Sequence, residues 1–382
     1  MSESPDFGLY LHWPFCSAKC PYCDFNSHVR SNVVEATWAN AFDREIARVA
    51  SETGPRVLKS IFLGGGTPSL MSVELVDRVL QATRRAWNWA NDIEITLEAN
   101  PTSIEAKRFQ GYRKAGVNRV SLGVQALNED DLRKLGRLHS VDEALRGLET
   151  ARATFDRVSF DLIYARQDQG LKDWERELRR ALAFEPDHLS LYQLTIEPGT
   201  AFGARLDAGG LTGLPDEDLA ADMFETTQDI CKAAGLPAYE ISNHAKLGSE
   251  SVHNMLYWRQ QDWAGIGPGA HGRLTIDGNR VATETLLNPE DWLNAVLKDG
   301  TGEVPKVSLD SRTVLKELLL MGLRIKAGIP VAQLEQLGWH AFDAGTQRMV
   351  EGGFLEIAGG ALRATETGRP VLNSVIAELY HD

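Results

Sequence analysis

Through the first half of the chain, two hydrophobic periods take turns. Compact apolar runs at Phe7–Trp13, Leu58–Leu63, Ile93–Glu98, Arg119–Gln125, Val158–Tyr164 and His188–Thr195 predict buried strands. Between them apolar residues recur every three or four positions, at Val33–Ala50, Val73–Trp87, Ile104–Ala115, Val141–Ala153 and Leu171–Phe184, which predicts amphipathic helices. Strands that alternate with helices build an α/β fold around a parallel sheet, because parallel neighbours need a crossover long enough to hold a helix. The pattern alone leaves a barrel and a doubly wound sheet both open.

After Thr195 the rhythm changes. A loop, Ile196–Ala201, and a Gly-rich stretch through Gly213 lead to a long helical pattern at Glu217–Ala234. Tyr239–Ala245 and Val252–Trp258 then run into the Gly-rich segment Trp263–His271, where missing side chains would let backbone approach a cofactor. From Ser311 come short helical patterns, then strands at Gly353–Ile357 and Ala361–Thr365 joined by Gly359-Gly360, then a terminal helix, as in a winged helix. The expected division is a barrel with its cofactor loop over 1–236, a connecting segment over 237–300 and a winged-helix-like α+β domain over 301–382.

A formal net charge of -13 on 382 residues argues against nonspecific binding to nucleic acid or anionic lipid, since phosphate backbones demand clustered Lys and Arg. The candidate wing carries one basic residue, Arg363, between Glu356 and Glu366, so a packing role is expected there and no nucleic acid. Hydrophobic content of 43% and charged content of 24% are ordinary for a globular chain, and no apolar run reaches transmembrane length. Met1–Asp6 is polar and acidic and Phe7–Leu11 is too short for a signal peptide. Three of the four cysteines crowd into one motif, which is no disulfide framework, and the expected setting is the reducing cytoplasm. The fourth, Cys231, sits in a helical pattern and reads as a buried inert thiol.

Cys16, Cys20 and Cys23 are spaced C-x3-C-x2-C directly after the first strand. Three soft ligands suit an iron-sulfur cluster, whereas structural zinc wants four, and His12 in the strand has no obvious route into the loop. One iron of a 4Fe-4S cluster is then left open to the amino and carboxylate groups of S-adenosylmethionine. Gly64-Gly65-Gly66-Thr67-Pro68 follows the second strand, where bare backbone amides can approach a charged ligand. Four later strands end in a polar residue, Glu98, Gln125, Asp161 and Thr195, which in a parallel barrel line one mouth, and Arg137 offers a partner for a ligand carboxylate.

The cysteine spacing resembles that of the radical S-adenosylmethionine superfamily, and the resemblance narrows the sheet to an open, partial (β/α)6 barrel. From Tyr10 to the terminal helix the chain resembles the oxygen-independent coproporphyrinogen III oxidase family, and within it the heme chaperone branch. Phe25 stands where the oxidases carry a further cysteine, only 15 residues precede Cys16, and His253-Asn254-Met255-Leu256-Tyr257-Trp258 matches the H-N-x-x-Y-W element of the chaperones. The resemblance implies Tyr10, Gly65, Gly66, Thr67 and Glu98 on S-adenosylmethionine, with Tyr22, Gln125, Arg137 and Asp161 facing the same cavity and Thr195 and His271 carried over beside them. It also implies heme as a ligand, a heme-acceptor protein and an electron donor for the cluster; His253, an imidazole among aromatic neighbours, is the expected axial ligand of heme iron, the alternatives being that His253 and Asn254 hydrogen-bond a loop or that His12, His244 or His271 takes the iron. The alternative activity is oxidative decarboxylation of coproporphyrinogen III. One departure stands out: the family's Gly-Leu-Pro after Asp-Leu-Ile-Tyr is here Ala165-Arg166-Gln167.

Overall fold

A computed structural model of the chain describes residues 5–101 and 106–380. Strand β1 (Phe7–Trp13) leads to a short pair, β2 (Phe15–Cys16) and β3 (His28–Val29). Then come β4 (Val57–Gly65), β5 (Asn88–Ala99), β6 (Arg119–Gln125), β7 (Arg157–Tyr164) and β8 (His188–Gln193). After them follow β9 (Asn243–Ala245), β10 (Asp262–Ile266), β11 (His271–Ile276), β12 (Asn279–Glu284) and β13 (Val307–Ser308). All except β2 and β3 join one sheet in the order β13-β12-β11-β10-β1-β4-β5-β6-β7-β8-β9.

The run β1-β4-β5-β6-β7-β8 is parallel throughout, which is the expected six-strand core. Its helices are set by local chemistry. Helix Val73–Ala86 starts at Ser72, whose hydroxyl accepts from the Leu75 amide, and it buries Leu75, Val76, Val79 and Leu80. Helix Val141–Thr154 opens on a capping box of Ser140 and Glu143. Of the expected helix Ile104–Ala115, the part Ala106–Ala115 is helical, and Ile104 lies outside the described residues.

Both edges of the six-strand core are extended by the second half of the chain. β10 lies parallel to β1 on its free side, β11, β12 and β13 continue antiparallel, and β9 turns back antiparallel on β8. The Gly-rich segment Trp263–His271 thus forms a strand and a tight turn, and its glycines admit protein backbone instead of a cofactor. A Cβ on Gly267, at φ +111°, would collide with the backbone oxygen of His12, and one on Gly265 with the backbone of His271.

The C-terminal region has its own core. β14 (Ile329–Pro330), β15 (Leu355–Ala358) and β16 (Ala361–Ala364) form an antiparallel sheet in the order β14-β16-β15. Helices Ser311–Gly322, Val331–Glu335, Ala344–Glu351 and Leu372–Leu379 surround it, and Leu318, Leu319, Leu334 and Ile376 from these helices share a core with Trp339 from the loop after Glu335. Among the described residues no helix is long and apolar enough to cross a membrane.

Candidate functional site

β1 delivers the chain into the cysteine loop, and pairing of Phe15 with His28 and of Cys16 with Val29 closes the loop's neck. The glycine motif at the end of β4 is strapped on beneath: Gly66 N–H donates to Trp13 O at 2.7 Å and Thr67 N–H to Phe15 O at 2.9 Å. A Cβ on Gly66 would lie 2.7 Å from Phe15 O, so the close approach requires glycine. On the outer arm the Asn26 Nδ2 donates to Pro268 O and Leu287 O, each at 2.9 Å, and ties the loop to the turn after β10.

The loop and the strand ends enclose a cavity of ≈ 690 Å³, counting its open mouth. The structure brings Cys16, Cys20, Cys23, Tyr22, Gly65, Gly66, Thr67, Glu98, Gln125, Arg137 and Asp161 to its lining. All three thiols are free, and each has a polar neighbour. Thr67 Oγ1 donates to Cys16 Sγ at 3.4 Å, Arg137 Nη1 donates to Cys20 Sγ at 3.1 Å, and Ser27 Oγ lies 3.6 Å from Cys23 Sγ. Among the described residues no three Cys, His, Asp or Glu side chains converge on a single metal ion. That arrangement suits a cluster, in which each cysteine takes a different iron.

Glu98 and Asp161 form the acidic side. Glu98 accepts from Gly65 N–H at 3.2 Å, and burial, then the Asp161 charge, push its carboxyl up to about 8. Asp161 accepts from Ser121 Oγ at 3.2 Å, and burial pushes it up to about 6. Gln125 ends β6 at φ 70°, a conformation uncommon outside glycine, and its buried Oε1 has no hydrogen-bond partner; neither has Arg137 Nε. A buried acceptor and a buried donor left open in a cavity that already holds two carboxyl groups are what a zwitterionic ligand such as S-adenosylmethionine fits.

Four expected residues lie outside this lining. Tyr10 O–H is 2.9 Å from His12 Nδ1, and His12 Nε2 is 2.9 Å from Asn26 O, so Tyr10 reaches the loop through His12, and burial, then the charge of Glu98, push its hydroxyl up. Both nitrogens of His12 are engaged, which removes it as a cluster ligand. Thr195 lines a separate groove beyond the end of β8. His271 is exposed at the start of β11, 3.5 Å from Glu284. His253 is 1% exposed: its Nδ1 is 2.7 Å from Ser60 Oγ, its Nε2 is 2.7 Å from Tyr257 O–H, and its backbone N–H donates to Glu94 at 3.1 Å. In this arrangement it offers heme iron no free nitrogen, contrary to the expectation from the motif.

Asn100 also lines the cavity, and pattern reading passes it over. Its Oδ1 accepts from Arg137 Nη2, and its Nδ2 donates to Thr67 Oγ1 at 3.0 Å, which links the Cys16 and Cys20 neighbours. Its place in Glu-Ala-Asn-Pro, two residues past Glu98 on the same face, was the available signal. The Ala165-Arg166-Gln167 departure is explained by an ion network: the buried Arg166 donates to Asp131 Oδ2 at 2.9 Å, to Glu177 Oε2 at 2.5 Å and to Ile163 O at 2.6 Å.

Comparison with known proteins agrees with this geometry. The Radical SAM superfamily pattern matches residues 10–181 and the HemN C-terminal domain matches residues 309–371. The mouse radical S-adenosyl methionine domain-containing protein 1, mitochondrial, is 39% identical over 99% of this chain and 88% of its own. The heme chaperone HemW of Escherichia coli is 42% identical over 77% of each chain, and that of Haemophilus influenzae 34% over 100% and 99%. The solved coproporphyrinogen III oxidase HemN of Escherichia coli superposes with a TM-score of 0.82 at 20% identity, over 98% of this chain and 90% of that one, a likeness of fold. With relatives this similar along nearly its whole length, the chain belongs to the radical S-adenosylmethionine superfamily and, within it, to the coproporphyrinogen oxidase-like family in the branch of the heme chaperone HemW.

Proposed function

We propose that this protein is a heme chaperone, which binds heme, a 4Fe-4S cluster and S-adenosylmethionine and passes heme to an acceptor protein. The observation that carries the reading is the 34% identity to a heme chaperone along essentially the entire length of both chains. Phe25 agrees with it, lying 60% exposed at the cavity where the oxidases carry a further cysteine.

Cys16, Cys20 and Cys23 are the proposed cluster ligands, with Thr67, Arg137 and Ser27 as hydrogen-bond donors to their sulfurs. When bound, the cluster and S-adenosylmethionine supply one-electron chemistry; the protein's part is to bind, orient and exclude water. Gly65 and Gly66, whose N–H groups are held by Glu98 and Trp13 O, shape the cavity wall, Glu98, Asp161 and Gln125 offer acceptors to the nucleotide's amino group, and Arg137 offers a guanidinium to its carboxylate. Tyr22 walls the cavity beside Cys20. Tyr10 acts on this set through His12, while Thr195 and His271, expected beside the nucleotide, lie outside the cavity. The proposed setting is the cytoplasm, with a protein electron donor for the cluster and division of the chain near residues 236 and 300.

The test is a Soret titration of the anaerobically reconstituted protein with heme, followed by transfer of the heme to an apo-hemoprotein and an assay of coproporphyrinogen III turnover. Saturable binding and transfer without turnover are expected. Turnover to protoporphyrinogen would put the oxidase reading first.

A further inference from the structure

The cavity proposed above for the cluster and the nucleotide measures ≈ 690 Å³ with its open mouth. Beyond the end of β8 lies a groove of ≈ 1610 Å³, open to solvent, between helix Glu217–Ala233 and the C-terminal region. Of its lining side chains, Val371 at 45% is a large apolar group left exposed, Tyr192 at 42% shows part of its ring while its hydroxyl is sheltered against Ser190 on the side of Asp161, and Phe224 lies on the helix that forms one wall.

The same groove is lined by Arg324 and Arg369. Arg324 Nη2 donates to Asn373 Oδ1 at 2.9 Å and Arg369 Nη2 donates to the backbone oxygen of Glu240 at 2.9 Å. Among the described residues neither forms an ion pair with a carboxylate, whereas Arg48, Arg157, Arg166 and Arg280, similarly sheltered, all do. Burial holds both guanidinium groups below the ordinary arginine value, and the buried carboxylate of Glu240, which forms no ion pair with either, is the main influence against it. Arginine remains charged all the same, and its planar fork matches a carboxylate. Asp216 and Glu217 line the rim at the start of the helix and disfavour an anion at that side. A ligand that suits these walls carries apolar bulk and has its carboxylates gathered at one edge, facing the arginines.

We propose that this groove holds the tetrapyrrole, with Arg324 and Arg369 on its propionate carboxylates and Tyr192 and Val371 against the macrocycle. The proposal rests on the chaperone reading above. It separates the heme site from the cluster cavity and places Thr195, at the end of β8, beside heme instead of the nucleotide.

The experiment compares heme with its dimethyl ester, in which the propionates are neutral, by anaerobic Soret titration of the cluster-loaded protein and of Arg324→Gln and Arg369→Gln. The parent protein is expected to bind the ester about tenfold more weakly than heme, the loss of roughly one charge-assisted contact. Each variant is expected to bind heme about tenfold more weakly and the ester unchanged. Cluster absorbance and circular dichroism report folding of the variants, and the ester comparison on the parent protein needs no variant at all. Equal affinity of the parent protein for heme and ester, or unchanged heme affinity in both variants, would overturn the site while leaving the chaperone reading intact. Failure of the parent protein to bind either compound would overturn both.

Discussion

At the scale of single residues, chemistry follows from what surrounds each side chain more than from which motif contains it. The four cysteines differ in this way. Cys231 is fully buried and burial pushes its thiol up to about 12, so it stays protonated and inert, whereas Cys16, Cys20 and Cys23 share a cavity with donors aimed at sulfur. Replacing any one of the three by serine is therefore expected to abolish the visible absorption of the reconstituted cluster, and Cys231→Ser is expected to leave it at the parent level. His253 is the opposite lesson. Its motif suggests a ligand, yet both ring nitrogens are bonded inside the molecule, and burial, then the charge of Arg119, push its pKa down to about 3. His253→Ala is expected to cost about 2–4 kcal/mol of stability in chemical denaturation, the sum of two lost hydrogen bonds and a cavity, while the Soret spectrum and heme affinity stay at parent values. Loss of heme binding in a well-folded variant would restore it as the ligand.

At the scale of elements, the cysteine loop is a part clamped from three sides: the β2-β3 neck, the glycine motif below it and Asn26 on the turn after β10. The cysteine loop and the glycine motif were each legible as ligand loops, because cysteines and glycines after a strand point to one, but that a β2-β3 neck and the glycine motif clamp the loop was not. The third joins residues 242 positions apart and has no local signal. The loop after β7 shows how an element survives a departure from its family. Ala165 takes φ 57° and Arg166 turns inward to satisfy Asp131 and Glu177. Arg166→Leu, which restores the family's residue at that one position, is expected to destabilise the protein by about 3–5 kcal/mol, because two sheltered carboxylates lose their cation. A urea melt reads this, and a midpoint equal to the parent's would show that the network contributes nothing.

At the scale of the whole molecule, the buried histidines set a direction for stability against pH. Burial lowers His139 and His244 to about 4 and His253 to about 3, and lowers His188 well below its ordinary value. Their folded values lie below the unfolded value of about 6.5, so their contribution is complete above that pH and is lost as pH falls from about 6.5 toward about 4. The melting temperature is expected to fall through that window, and His139→Asn is expected to make the fall shallower; a flat profile would contradict it. The alternation of apolar runs and helical periods was enough to mark six strands of a parallel sheet, while their barrel order came from the family resemblance, and cysteine spacing alone was enough to mark the cofactor loop. Tertiary structure alone decided that β10 to β13 extend the sheet past β1, that the glycines of 263–271 admit backbone, that His253 is a structural post, and that two arginines from the C-terminal region meet the end of β8. Each of these depends on pairings between distant parts of the chain, for which periodicity, a property of neighbours, carries no information.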